Sequence, residues 1–130
     1  MNRNMATISL VFAGLLVGAI PALAHHSVSA EFDTTKPIEF TGTVKTVEWT
    51  NPHIYTQVEV KQPDGTTKIY RVEGSPPNAL FRNGWRKDSL KVGQVVSVKG
   101  HRAKNPDSPN VGTATITAQD GKKVFANQPE

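Results

Sequence analysis

No cysteine occurs among the 130 residues, so disulfides, thiolate metal sites and cysteine-linked lipid anchors are excluded. Methionine is almost as scarce: Met1 and Met5 are the only two. Any metal bound beyond them must rely on imidazole, carboxylate, amide or amine ligands. Such a donor set suits Cu(II), Zn(II) or Ni(II) better than Cu(I). A strong charge of one sign is also lacking. The chain has 15 basic and 11 acidic side chains, a net charge of +4. That excess favours contact with an acidic partner or an anionic surface but is too small to point to nucleic acid.

Long apolar runs are missing except near the start. Residues 6–20, ATISLVFAGLLVGAI, carry no charge and follow a positive segment containing Arg3. The run is short for a membrane span of about 20 residues, and no basic stop-transfer cluster follows it. Pro21 can end its helix, and Ala22-Leu23-Ala24 presents small residues of the kind a signal peptidase reads. The expectation is a signal peptide over residues 1–24, cleaved between Ala24 and His25, with delivery to the periplasm or secretion. Arg3 is the only charged side chain before the cut, so 106 residues would remain with an excess of three basic groups. That length supports one domain with a single core.

Residues 25–36 are polar and mixed, and read as an N-terminal arm before a domain at 37–130. Ile38, Phe40, Gly42 and Val44 alternate as in a strand, and the apolar phase slips by one at Val47 and Trp49. A slip of one predicts a β-bulge. Asn51-Pro52 ends this strand, and Ile54, Val58 and Val60 begin another. Pro63-Asp64-Gly65 predicts a tight turn into a third strand near Lys68–Glu73. Ser75-Pro76-Pro77 predicts a short helix capped by Ser75, with Ala79, Leu80 and Phe81 as its apolar residues and Asn83-Gly84 as its end. Val95, Val96 and Val98 mark a fourth strand, 102–110 a polar loop, and Val111–Ala118 a fifth strand. Asp120-Gly121 turns towards a short extended piece at Val124-Phe125. Three strands, a short helix and two strands predict an all-β, five-stranded OB-like barrel with its helix between strands three and four.

Five segments, HHSVSAEFD, GTVKTVEWTNPH, EGSPPNALFRNGW, DSLKVGQVVSVKGHRAK and DGKKVF, span most of the chain beyond residue 24. In these the sequence resembles the DUF6152 family of exported bacterial proteins. The resemblance implies a single exported OB-like domain and carries over no catalytic residues.

Four histidines, His25, His26, His53 and His101, are the candidate metal ligands. Cleavage after Ala24 would give His25 a free α-amine, which together with its ring Nδ1 can chelate one ion. A second imidazole from His26, His53 or His101 would complete a set suited to tetragonal Cu(II) or another divalent metal. Glu31, Asp33, Glu48 or Glu73 could orient a ligating ring. Trp49, Asn51, His53 and Tyr55 are the candidate ligand face, since an OB barrel binds beside the loop joining its first two strands. Trp49, Tyr55, Tyr70, Phe81 and Trp85 could stack on bases or sugars, or serve as core. Arg82, Arg86, Lys87 and Lys91, with Arg102 and Lys104 further on, form a basic set suited to phosphate or an acidic partner, or simply to solvent.

No nucleophile elbow or glycine-rich phosphate loop is present, and no catalytic activity is expected. The expected function is an exported small β-barrel binding module whose partner is a periplasmic protein or small ligand, not nucleic acid. The alternative is a periplasmic Cu(II) protein built on His25. A third reading has the barrel face hold a single strand or an oligosaccharide.

Overall fold

The apolar alternation around Ile38 produces the longest element, strand β1 at Phe32–Glu48. The computed structural model describes residues 28–126. It divides the chain into two units, Met1–Glu31 and Phe32–Glu130, and every strand belongs to the second. The expected leader, Ala24, His25 and His26 lie outside the described residues.

After β1 come β2 (Tyr55–Lys61) and β3 (Thr67–Glu73), then helix α1 (Pro77–Arg82) and a 3-10 turn at Lys87–Ser89. Strands β4 (Val95–Ala103), β5 (Asn110–Ala118) and β6 (Lys123–Val124) complete the order. The sheet order is β3-β2-β1-β4-β5-β6, with antiparallel neighbours throughout. β1 can serve two partners because it is long. Its Pro37–Thr43 stretch pairs with β4, and Thr43–Glu48 pairs with β2. The phase slip read from the sequence is a register break between Val44 and Thr46. This break lets Val44 and Val47, an odd number of residues apart, both face the core.

The expected five-stranded OB-like barrel is corrected: the sheet does not form a closed barrel. Six strands make a sheet whose order ends at β3 and β6, and β3 meets β5 only through the parallel pairs Arg71–Asn110 and Val72–Val111. The reason lies in β5. One of its edges is taken by β4. The other is shared, with β3 at Asn110–Val111 and β6 at Ile116–Thr117. A strand edge divided in this way cannot carry a continuous seam along β3.

Helix α1 is shorter than two full turns. Pro76, not Ser75, occupies its N-cap position, and no side chain caps it. Proline in the first turn costs no hydrogen bond, because the N–H it lacks would have no partner within the helix. Gly84 ends the helix with φ +87°. Leu80 is driven fully into the core with Val44, Val58 and Val98, a burial that contributes about 1.5–3 kcal/mol. At the β2–β3 turn, Gly65 takes φ +86°, while Asp64 Oδ1 accepts hydrogen bonds from the Thr66 N–H and hydroxyl.

Gly42 lies where β1 is flanked by both partners, opposite Val96 of β4. A methyl group there would meet the Glu59 carbonyl oxygen and the Val58 and Val60 side chains. Gly42→Ala is expected to destabilise the domain by about 1–3 kcal/mol through overpacking. In urea unfolding this appears as a lower midpoint at unchanged slope. An unchanged midpoint would show that the strands can part to admit the methyl.

Candidate functional site

The residues expected to form a ligand face separate into two groups. Trp49 is half-buried and packs edge-on against Phe125, with ring centroids 5.8 Å apart. Trp85 meets the same ring at 5.9 Å, and its Nε1–H donates to the Ala126 carbonyl at 2.9 Å. Phe125 reaches this position with φ +57°, a left-handed backbone that a bulky residue rarely adopts. Both tryptophans therefore hold the C-terminal segment to the core. Asn51 is exposed beside a cis Asn51–Pro52 bond.

His53 and Tyr55 instead join a polar network across β1, β2 and β3. The register places Tyr55 opposite both Glu48 and Glu73, and Gln57 opposite Arg71. Alternation along β2 and β3 then puts Tyr55, Gln57, Arg71 and Glu73 on one face. Arg71 donates to Glu48 Oε2 at 2.9 Å and lies 3.4 Å from the centre of the Tyr55 ring. Gln57 Nε2 donates to Glu48 Oε1 at 2.7 Å. Tyr55 donates to Glu73 at 3.4 Å, and His53 Nδ1–H donates to the Gly74 carbonyl at 2.9 Å. The Glu73 carboxylate lies 3.8 Å from the same nitrogen. These polar groups largely satisfy one another, and the network fastens the β1–β2–β3 corner.

Among the described residues, His53 and His101 do not assemble a metal centre. His101 pairs with Pro37 near the start of β1, whereas His53 precedes Tyr55, which pairs with Glu48 at the end of β1. The eleven positions between Pro37 and Glu48 span roughly 35 Å of extended chain at about 3.3 Å each. His101 Nδ1 is bonded to the hydroxyl of Thr113, a residue with φ +47°. Among the described residues no group of three or more His, Cys, Asp or Glu could hold a metal ion. The expected barrel module and its Cu(II) alternative are therefore both corrected: the sheet supplies neither the barrel face nor a metal site. His25 and His26 lie outside the described residues. Of the side chains expected to orient a ligating ring, Glu48 binds Arg71, Asp33 binds Thr35 and Lys36, and Glu73 binds Tyr55.

The basic set read from the sequence also separates. Arg86 stacks 3.9 Å from the Phe81 ring centre and donates to the Phe81 and Trp85 carbonyls, which ties it to the helix end. Arg102 and Lys104 belong to a different place. Together with Lys36, Tyr70, Asn105 and Ser108 they line a cleft of about 210 Å³ where the β4–β5 loop faces β3. Lys36 and Arg102 come together because the β1–β4 register breaks between Phe32 and Pro37, opposite Ala103 and His101. The loop is held by its own hydrogen bonds. Asn105 Oδ1 accepts from the Asp107 N–H at 3.0 Å, and Ser108 Oγ accepts from the Asn110 N–H at 3.2 Å. The Pro109 carbonyl accepts from the Arg71 N–H at 2.9 Å, which joins the loop to β3. Tyr70 is fixed by stacking on Phe40 at 4.4 Å, with the Lys68 ammonium 4.9 Å from its ring centre.

The cleft lining contains three basic residues and no acidic one. Lys36 is 3.5 Å from Asp33. The Asp33 carboxyl is held below its ordinary value chiefly by the Thr35 hydroxyl, then by the Thr35 N–H and Lys36. Arg102 has no ion pair among the described residues. Lys36 and Tyr70 were not read as partners of Arg102 in the sequence, since nothing local marks residues so distant along the chain.

The class this defines is a small domain built on a six-stranded antiparallel sheet, with one short helix between β3 and β4. A family model matches residues 13–113, and the chain belongs to that family, described as a family of unknown function (DUF6152). No curated protein and no solved structure matches it. No helix among the described residues is long and apolar enough to cross a membrane.

The Glu48 carboxyl is held below its ordinary value of 4.5, first by the Arg71 guanidinium and then by the Gln57 amide. The stability this supplies is present in full above about pH 4.5 and is lost as pH falls through the depressed value. Glu48→Gln is expected to flatten that part of the acid-unfolding curve. It should also cost about 0.5–1 kcal/mol at neutral pH, because the pair is partly exposed. Superimposable acid limbs for variant and parent would show that Glu48 does not link folding to pH.

Proposed function

We propose that the chain is exported to the periplasm, where its sheet domain binds a small anion without converting it. The cleft beside the β4–β5 loop is the binding site. One observation carries this reading: Lys36, Arg102 and Lys104 line a single cleft that has no acidic residue in its lining. Like charges brought together across neighbouring strands destabilise one another. An anion seated among them would offset that repulsion. Loop hydrogen bonds and the Phe40–Tyr70 stack support the cleft, so a ligand would meet groups already in place. Export rests on the charge-free apolar run, Pro21 and the small residues through Ala24.

Two measurements test this reading. The protein recovered from a periplasmic extract is expected to begin at His25 by intact mass. A mass that retains residues 1–24, or recovery only from the cytoplasm, would overturn export. Calorimetric titration of that protein with sodium phosphate at low ionic strength is expected to give saturable binding. Arg102→Gln should weaken it by about tenfold, in line with the loss of one charge-assisted hydrogen bond. Absence of saturable heat with the parent protein would overturn anion binding.

A further inference from the structure

Tyr70 brings to the cleft a polar group that the domain itself does not satisfy. It is only 8% exposed, yet it lines the cleft. Its ring is occupied, stacked on Phe40 at 4.4 Å with the Lys68 ammonium 4.9 Å from its centre. Its hydroxyl makes no hydrogen bond among the described residues. A buried tyrosine hydroxyl usually finds a partner. Nor is this one sealed in the core. Among the described residues, Thr56 Oγ1 is the one fully enclosed side-chain polar atom that lacks a partner. Tyr70 Oη therefore opens to the cleft, where it can both donate and accept a hydrogen bond.

Charge narrows the choice of ligand. Asp33 offsets Lys36 at 3.5 Å, and Lys104 and Asn110 are each engaged in an interaction of their own. Arg102 makes no ion pair among the described residues. Asp107, on the same loop but outside the lining, adds a negative charge. This balance suits a ligand with a single negative charge. A guanidinium fork matches a carboxylate, two N–H groups to two oxygens. Acceptors are present as well: Tyr70 Oη in the lining and the Asp107 carboxylate on the loop. A bare anion brings them no donor, whereas a hydroxyl does. Size sets the last limit. At about 210 Å³ the cleft is smaller than the roughly 300–1,000 Å³ typical of small-molecule sites, so the ligand has few carbon atoms.

We infer that the cleft takes a small hydroxycarboxylate, its carboxylate on the Arg102 guanidinium and a hydroxyl on Tyr70 Oη. This inference rests on the anion-binding reading above and names its ligand class. Arg102 attracts any carboxylate. Tyr70 separates a hydroxylated one from a plain one. A site whose buried polar group awaits a partner rejects an analogue that lacks it, because that group then stays unpaired. The Phe40 stack already holds the Tyr70 ring, so its hydroxyl needs little ordering when a ligand arrives.

The experiment titrates the full protein at neutral pH and low ionic strength with glycerate, propionate and sodium phosphate. Glycerate carries a hydroxyl on each carbon beyond its carboxylate, and propionate has the same carbon chain with none. Glycerate is expected to bind about tenfold more tightly than propionate. Tyr70→Phe keeps the ring and its stack and removes only the hydroxyl. It is expected to bring glycerate down to the affinity of propionate while leaving propionate unchanged. Arg102→Gln should weaken both by about tenfold and keep their ratio. Lys99→Gln, which removes a surface lysine paired with Glu39 at 3.2 Å, should alter neither. Thermal unfolding of each variant checks that it still folds. Equal affinity of the parent for glycerate and propionate overturns this inference while leaving anion binding in place. Binding of phosphate alone, or a glycerate preference that survives Tyr70→Phe, does the same. Binding of none of the three overturns both readings. Undiminished glycerate binding by Arg102→Gln overturns the cleft as its site.

Discussion

Strand β1 lies at the centre of the sheet order, and its two irregularities set much of what surrounds it. Over 17 residues it pairs first with β4 and then with β2. A perfectly regular strand of that length would present every second residue to the core. The break between Val44 and Thr46 reverses that phase, so that Val44 and Val47 are both buried. The break between Phe32 and Pro37 suspends the ladder and brings Lys36 towards the end of β4. The first irregularity organises the core, and the second helps to form the cationic cleft.

Two polar regions of the domain differ in how completely they satisfy themselves. At the β1–β2–β3 corner, Glu48, Gln57, Arg71, Tyr55, Glu73 and His53 bond one to the next. Acids and bases alternate there, and the Glu48 pKa is depressed as in a stable ion pair. Such a region stabilises a fold and offers a ligand little it does not already have. In the cleft the loop uses side-chain acceptors to hold its own backbone, while the surrounding cations supply donors. That imbalance is what the proposed anion site rests on, and the corner does not share it. The C-terminal segment adds a third arrangement. Phe125 accepts an unfavourable backbone to pack against Trp49 and Trp85, which turns the two largest side chains towards the domain's own chain.

Much of the fold was legible because it depends on neighbours in sequence. Alternation marked the strands, Pro63-Asp64-Gly65 marked the turn, and Asn83-Gly84 marked the end of the helix. The slip at Val47 signalled a bulge, since burial and strand period cannot both hold without one. The Ser75 cap misled because a serine near a helix start is only one way to begin it. Pro76 and Pro77 begin this helix without a side-chain cap. Five strands and a helix suggested closure, but closure depends on which edge of β5 is open. Lys123–Val124 takes part of that edge, and so short a segment carries little signal of where it pairs.

The sequence by itself determined the absence of thiol chemistry, the modest positive charge, the strand and turn positions, and the motifs that place the chain in its family. Those follow from composition and from spacing within a few residues. Only the tertiary structure decided that His101 is set beside the Pro37 end of β1 and His53 near its Glu48 end, that Arg86 belongs to a helix end and that Arg102 belongs with Lys36. Each depends on register, which sums the effect of every turn and bulge along the chain. A charge is visible in a sequence, but its neighbour across a sheet is chosen by the fold.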